Sequence, residues 1–292
     1  MNIKEKFLKG VSHSLVVVNI FSGSGLGHGQ CANVDPGVNG KPSLINESKK
    51  ENKLRKSAKY LNKNKRVCRG GKVWDYGNIK FYLPNFPQDL IQNYIVTNSD
   101  YFEGPTLRKL DKFIPEKAVI LDIGANIGNH TLYWAMQNKI EKVYSFEPIE
   151  ETFNILCKNV EINDLDNKVE LFNIGLSDEE TTAKISFFDK NNIGRTSIEK
   201  TTGGKIKVNK LDNIKINEER IDFVKIDVEG HEIKVLNGAK ETFLKHKPKY
   251  VFIESFSNNY PKVKEILESY GYRLTDFPVE CSNYLFEYKG KS

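Results

Sequence analysis

Four acidic residues stand where a reaction would need them. Asp122 in VILDIG, Glu147 in YSFEP, Asp227 in VKIDVEG and Glu254 in FIES each close an apolar run of strand character. Open α/β sheets keep their ligand crevice outside the carboxyl ends of the strands. One acid there is an ordinary helix-capping choice. Acids at four of five successive strand ends exceed what capping asks for. The first belongs to AVILDIGANIGNHTLYWA, residues 118–135. That stretch reads as a buried strand, a tight turn through Gly124 and Gly128, and a helix opened by Asn129, His130 and Thr131. The glycines allow close backbone approach to a ligand, and a helix N-terminus presents unpaired N–H groups. An acid beside that helix start repels a pyrophosphate and suits a cationic ligand with hydroxyls or an amine.

Glu147 follows Asp122 by 25 residues. In nucleotide-binding α/β units an acid at that place grips ribose hydroxyls. A dinucleotide site would want G-x-G-x-x-G, whereas residues 124–129 read GANIGN. The chain also lacks room for a separate dehydrogenase substrate domain. S-adenosylmethionine needs no pyrophosphate cradle: its sulfonium is cationic, its ammonium wants a carboxylate and its ribose wants Glu147. Methyl transfer to a hydroxyl gains from placement of the acceptor and from a general base. Asp227 or His231 is expected as that base, with Glu229 or Glu254 orienting it. The same four residues could instead hold a hard divalent ion; the expectation is that no metal is held.

The elements that must position these residues follow from periodicity. VWDYGNIKFYLP reads as a hairpin turning at Tyr76-Gly77-Asn78, and 88–97 and 106–113 as short helices. From Lys117 strands alternate with helices: AVILDIG, NHTLYWAMQNK, KVYSFEP, EETFNILCKNVEIN, KVELFNIG, then IDFVKIDVEG, EIKVLNGAKETFLKH, KYVFIES and PKVKEILESYG. Short connections between alternating elements predict a doubly wound, mostly parallel sheet. YRLTDF and NYLFEYK form a closing strand pair that allows an antiparallel edge.

Charge is uneven over the 292 residues. The net charge is +6, yet Ser48 to Lys72 alone holds eleven Lys/Arg against Glu51, a local +10, so the rest carries about −4. A basic arm for nucleic acid is the alternative function. Its single aromatic, Tyr60, gives base stacking little support, and a nucleic-acid partner is not expected. The four cysteines are widely spaced without CxxC, so no zinc site is expected. The N-terminus carries a short apolar run, Leu15 to Phe21, interrupted by Asn19. It resembles a signal peptide but is too short to span a bilayer. A cytoplasmic location without a transmembrane segment is expected, with export through that signal-like segment as the alternative. Residues 1–66 read as a largely disordered extension, with a helix through Glu51 to Leu61. Residues 67–116 read as a lead-in of hairpin and helices, and 117–290 as the main domain. The sequence assigns no oligomeric state.

Taken in order, VILDIGANIGNHTLYWA, VYSFEPIEETFNILCKNVEIN, VELFNIGLSDEE, VNKLDNI and IDFVKIDVEGHEIKVLNGAKETF resemble the FkbM-type family of S-adenosylmethionine-dependent methyltransferases. The similarity runs from about Ile79 to Glu287, and DIGANIGNHT and KIDVEGHE are its most characteristic strings. The resemblance implies a class I, Rossmann-like methyltransferase fold, a seven-stranded sheet with the last strand antiparallel. It implies that Asp122, Gly124, Ala125, Asn126 and Gly128 line the methionine half of the cofactor and that Glu147 holds the ribose. Ile174, Gly175 and Leu176 would lie near the adenine, with Asn173 and Ser177 as polar partners. Asn129 and His130 would be caps or cofactor-site residues, and Glu103, in the Tyr101-Phe102-Glu103 turn that looks like the family's lead-in, is expected to bind the cofactor too. The polar stretch Asp189 to Gly204 is where acceptor specificity is expected, with Asn192, Arg195, Thr196 and Ser197 as binding groups for a small-molecule or glycan acceptor.

Overall fold

The computed structural model describes residues 66–67, 72–278 and 282–290. All of them belong to one of the chain's two compact units, Lys41–Ser292. The other unit, the signal-like segment, most of the basic run, the helix through Glu51 and Cys31, Cys68 and Cys281 lie outside the described residues.

Strands β1 (Arg66–Val67), β2 (Val73–Asp75) and β3 (Lys80–Tyr82) form a small antiparallel sheet, with the hairpin where the sequence places it. Helices α1 (Leu90–Asn98) and α2 (Gly104–Leu110) follow. The main sheet then builds from β4 (Ala118–Ile123), α3 (Asn129–Ala135), β5 (Ile140–Phe146), α4 (Glu150–Glu161) and β6 (Val169–Phe172). Next come β7 (Gly175–Leu176), β8 (Thr181–Phe187), β9 (Ser197–Lys200) and β10 (Ile206–Asn209), a separate four-stranded sheet in the order β7-β10-β8-β9. The main sheet resumes with β11 (Phe223–Ile226), α5 (Glu232–Asn237), α6 (Lys240–His246), β12 (Tyr250–Glu254), α7 (Tyr260–Ser269), β13 (Tyr272–Leu274) and β14 (Asn283–Tyr288).

The seven-stranded order is β13-β14-β12-β11-β4-β5-β6, with β6, β5, β4, β11 and β12 parallel. Every residue of β4 and β11 is buried because helices cover both faces of the sheet. Side chains alternate between two cores. Ala118 and Ile120 of β4 join Leu132, Trp134 and Phe223 on one face; Val119, Leu121 and Ile123 join Val235, Leu236 and Phe243 on the other. The lead-in sends Ile79, Phe81, Leu83, Ile95, Leu107 and Leu110 into the first core. Among the described residues no helix is long and apolar enough to cross a membrane.

Two expectations need correction. The last strand, β14, is antiparallel to β12 as expected, but it is not the sheet's edge: it inserts between β12 and β13, and β13 is the outer strand. Leu285 of β14 enters the first core and Phe286 the second, both fully buried, which an inner position permits. The stretch Asp189 to Gly204 is not simply a polar loop. It contains a 3-10 turn, Ile193–Arg195, anchored by buried Ile193, and then β9, whose Ile198 pairs with Ile185 of β8.

Candidate cofactor and catalytic site

The turn after β4 is held at three places. The Gly124 and Ala125 N–H groups both donate to the Phe146 carbonyl at the end of β5, at 3.0 and 2.9 Å. Gly124 has φ +80°, and a Cβ there would stand 1.8 Å from the Asp227 carbonyl oxygen, so only glycine lets this turn touch the end of β11. Asn126 is also left-handed, at φ +50°, and its N–H donates to Glu147 Oε2 at 3.0 Å. Glu147 Oε1 accepts from the Ile149 N–H at 2.9 Å. Each carboxylate oxygen has more than one acceptor site, so Glu147 is oriented by these bonds and not used up by them. Burial pushes its pKa up to about 7, against the pull of its two N–H donors and of Lys225. Gly128, at φ +90°, ends the turn where a Cβ would meet Leu156 at 2.6 Å.

Asp122 does not offer its carboxylate to the crevice. The side chain is wholly buried under the turn, where Oδ2 accepts from the Thr131 hydroxyl at 2.6 Å and Oδ1 lies 3.4 Å from Lys225 Nζ. Lys225 is a residue that the sequence reading missed. Strand register sets it directly beside Asp122, and its ammonium is 3.5 Å from Asp227 and donates to the Gly124 carbonyl at 2.6 Å. Burial alone would drive its proton off; Asp122 and Asp227 more than reverse this and raise its pKa above the ordinary lysine value. The signal was present: FVKI is a four-residue buried strand with a lysine in it, and buried lysines are almost always paired.

Beyond Lys225 the structure gathers three of the four expected catalytic residues. Ligand-type oxygens of Asp227, Glu229 and Glu254 lie within 4.8 Å of one another. Glu229 reaches the group because it and Gly230 are successive left-handed residues, at φ +49° and +95°, that fold the chain sharply back. The three groups do not share charge evenly. Burial opposes ionisation of Asp227, but Lys225, a hydrogen bond from Glu254 and nearby His130 together hold its pKa below the usual carboxylate value. Burial and the Asp227 charge force Glu254 well upward, so it keeps the proton of that pair. Burial and then Asp227 push Glu229 up to about 8, with Arg195 pulling the other way.

His231 is not part of this group. Its Nε2 lies 3.0 Å from the Ser177 hydroxyl, at the start of α5, which corrects the expectation that it is a base for transfer. The imidazole near the carboxylates is His130, buried on α3, with Nε2 3.2 Å from Glu103 Oε2. Glu103 is brought there by its own left-handed conformation ahead of α2. Asn129 is neither a cap nor exposed to the crevice: it accepts from the Phe102 N–H and donates to the Phe102 carbonyl, both at 2.9 Å. It thereby pins the Glu103 turn to α3.

On the adenine side, Asn173 Nδ2 donates to the Glu147 carbonyl at 2.9 Å, joining the ends of β5 and β6. Gly175 and Leu176 are buried in β7, and Leu176 joins the second core. Of the expected acceptor groups, Asn192 precedes the 3-10 turn and Arg195 is its last residue. The Arg195 guanidinium lies 5.9 Å from the centre of the Phe187 ring. Ser197 faces Ser186 on the outer hairpin instead, its hydroxyl at 3.1 Å. The Thr196 hydroxyl is used by the Ile193 carbonyl at 2.7 Å.

The raised carboxyls make stability depend on pH. Glu147 and Glu229 hold protons more tightly in the folded chain than in the unfolded one, whose carboxyls titrate near 4.5. That contribution is fully present below the unfolded value and is lost as pH rises through about 7 and 8. Thermal unfolding of the ligand-free protein is therefore expected at a lower temperature at pH ~8.5 than at pH ~6.5, with a smaller difference in Glu229→Gln. Equal midpoints at the two pH values would contradict the assignment.

A doubly wound sheet with its penultimate strand reversed, and acids at the strand ends around a glycine turn, defines a Rossmann-like protein of the methyltransferase type. The family model described as the methyltransferase FkbM domain matches residues 122–274, more than half of the chain, and the chain belongs to that family. It is similar to the methyltransferase sdnD of Sordaria araneosa, 32% identical over 75 residues that cover 26% of this chain and 29% of that one. It is also similar to the AMB antimetabolite synthetase AmbE of Pseudomonas aeruginosa, 37% identical over 75 residues, 26% of this chain and 3% of that one. The chain thus spans less than a third of the length of these curated relatives. A solved methyltransferase FkbM from Methylobacillus flagellatus overlays with a TM-score of 0.45 at 20% identity, over 68% of this chain and 52% of that one.

Proposed function

We propose that the protein transfers a methyl group from S-adenosylmethionine to a hydroxyl of a small molecule or glycan. The observation that carries this reading is the contact of Gly124 with the Asp227 carbonyl, which sets the glycine turn and the carboxylate group side by side. A donor held along the turn and an acceptor held at the carboxylates would then meet, and such placement supplies much of the rate of a displacement reaction. The residues present fit the donor. The glycines let the turn pack directly on the end of β11 and on Leu156, and Glu147 is oriented for two ribose hydroxyls. When bound, S-adenosylmethionine supplies a methyl group made electrophilic by its sulfonium.

The chain's own residues do the rest. Glu229 takes the hydroxyl proton: a base is most useful when its pKa is near the working pH, and Glu229 sits at about 8. Asp227, held ionised by Lys225, is a weaker base and serves to raise Glu229 and to offer negative charge to a cationic donor. Glu254 keeps its proton and fixes Asp227 by donating to it. Of these carboxylates Lys225 pairs with Asp227, at 3.5 Å.

The direct test incubates the chain with methyl-labelled S-adenosylmethionine and separate panels of sugars, lipids, small hydroxylated metabolites and RNA. Label on a hydroxyl of a non-nucleic-acid acceptor is the expected result. Label on RNA alone would overturn the acceptor class and favour the basic segment as a nucleic-acid arm.

A further inference from the structure

The 3-10 turn Ile193–Arg195 lies on the glycine turn, and a single buried side chain fastens it there. Asp89 is fully buried at the start of α1. Its Oδ1 accepts from the Gln92 N–H at 2.9 Å, an ordinary helix cap. Its Oδ2 accepts from the Ile193 N–H at 3.0 Å, across 104 residues of sequence. Beside it the Leu90 N–H donates to the Asn191 carbonyl at 2.8 Å. These bonds press Gly194 so close to the floor that a Cβ there would stand 2.7 Å from Asn126 Nδ2 and 3.1 Å from Ile91 of α1. Asn126 is the same residue whose N–H orients Glu147.

Two polar atoms at this seam are unmatched. Asn126 Oδ1 on the floor and Asn192 Oδ1 on the roof are both shut off from solvent and accept no hydrogen bond from the described residues. Buried acceptors normally have donors. That two stay without donors shows how tightly the turn is pressed onto the floor, where not even a methyl group would fit.

We propose that Asp89 is a positioning residue, latching the Asn192–Arg195 turn onto Asn126 so that the glycine turn, and the Glu147 carboxylate that Asn126 orients, are held in place for a bound adenosyl-amino-acid donor. This rests on the cofactor reading above. The latch acts through Ile193 and Asn192, and it also fixes Arg195 on the side of the crevice where its charge reaches Glu229. One carboxylate thereby ties the lead-in helix, the donor floor and the acceptor side together.

The two roles of Asp89 can be separated. Asparagine is as good a helix cap as aspartate, but its amide nitrogen cannot accept from Ile193. Amide hydrogen exchange is measured on the full chain, with and without saturating S-adenosylhomocysteine, alongside calorimetric binding of the same probe. In the unmodified protein the probe is expected to slow exchange over both 124–129 and 191–195. In Asp89→Asn, exchange over 191–195 is expected to rise at least roughly tenfold and to stay fast with probe, and affinity to fall roughly tenfold, the scale of one charge-assisted hydrogen bond. Exchange over 90–98 should match the unmodified protein. Asp89→Ser, which keeps one acceptor for the cap, replaces Asp89→Asn should the latter not fold. Unchanged exchange over 191–195 in the variant, or unchanged affinity, overturns the latch while leaving the cofactor reading intact. An unmodified protein that does not bind the probe overturns the cofactor reading itself and this proposal with it.

Discussion

Lys225→Met is expected to destabilise the protein by about 3–5 kcal/mol, the scale for removing one partner of a buried ion pair. The ammonium lies between Asp122 at 3.4 Å and Asp227 at 3.5 Å and also donates to the Gly124 carbonyl at 2.6 Å. Methionine fills the stem's volume and supplies none of these. Asp122 is worst affected, because its side chain has no exposure through which water could replace the cation. The second variant Lys225→Met/Asp122→Asn should recover much of the loss, since it removes the unpaired charge at Asp122, while Asp227 is partly exposed and keeps its bond from Glu254. Urea denaturation of the two single variants and the double variant closes the cycle. A coupling energy near zero would mean that Lys225 and Asp122 act independently, contrary to the register that sets them side by side.

Glu229→Gln is expected to lower methyl transfer by roughly 10²- to 10⁴-fold, the range for loss of a general base. Binding of S-adenosylhomocysteine should be nearly unchanged, because no hydrogen bond of the glycine turn involves Glu229 among the described residues. The pH profile gives the sign. Burial and the Asp227 charge raise Glu229 to about 8, so its deprotonated, base-competent form grows as pH climbs through that value. Turnover should rise with pH over the same interval and flatten above it, and carboxyl carbon resonances should show one glutamate titrating near 8. Turnover of Glu229→Gln within a few-fold of the unmodified protein would transfer the role to Asp227.

The fold was legible where periodicity and burial agree. β4 and β11 are buried throughout because both faces are covered, and apart from Asp122 and Lys225 they are apolar, with their acids at the crevice end. The hairpin at Gly77 and the glycine turn were legible because left-handed backbone asks for glycine. The place of β14 was not, because strand order depends on which edge buries both faces of a strand, a non-local fact. Asp227, Glu229 and Glu254 were legible as a group, since sheet topology brings the ends of neighbouring parallel strands together. His231 was misplaced because a position two residues after Glu229 says nothing of which way a turn faces once two left-handed residues intervene. Lys225 was passed over as an ordinary charge although it lies within a buried strand. Asp89 gave no local signal of its second bond, whose partner lies 104 residues away.

Everything assigned to the site depends on a donor seated along the glycine turn with Glu147 on its ribose. Isothermal titration of S-adenosylhomocysteine into the unmodified protein and into Glu147→Ala tests this most directly. Binding at one site per chain is expected, weakened roughly 10²-fold in Glu147→Ala, the scale of two hydrogen bonds to a charged acceptor. No binding to a folded protein, or equal affinity in the two proteins, would contradict it.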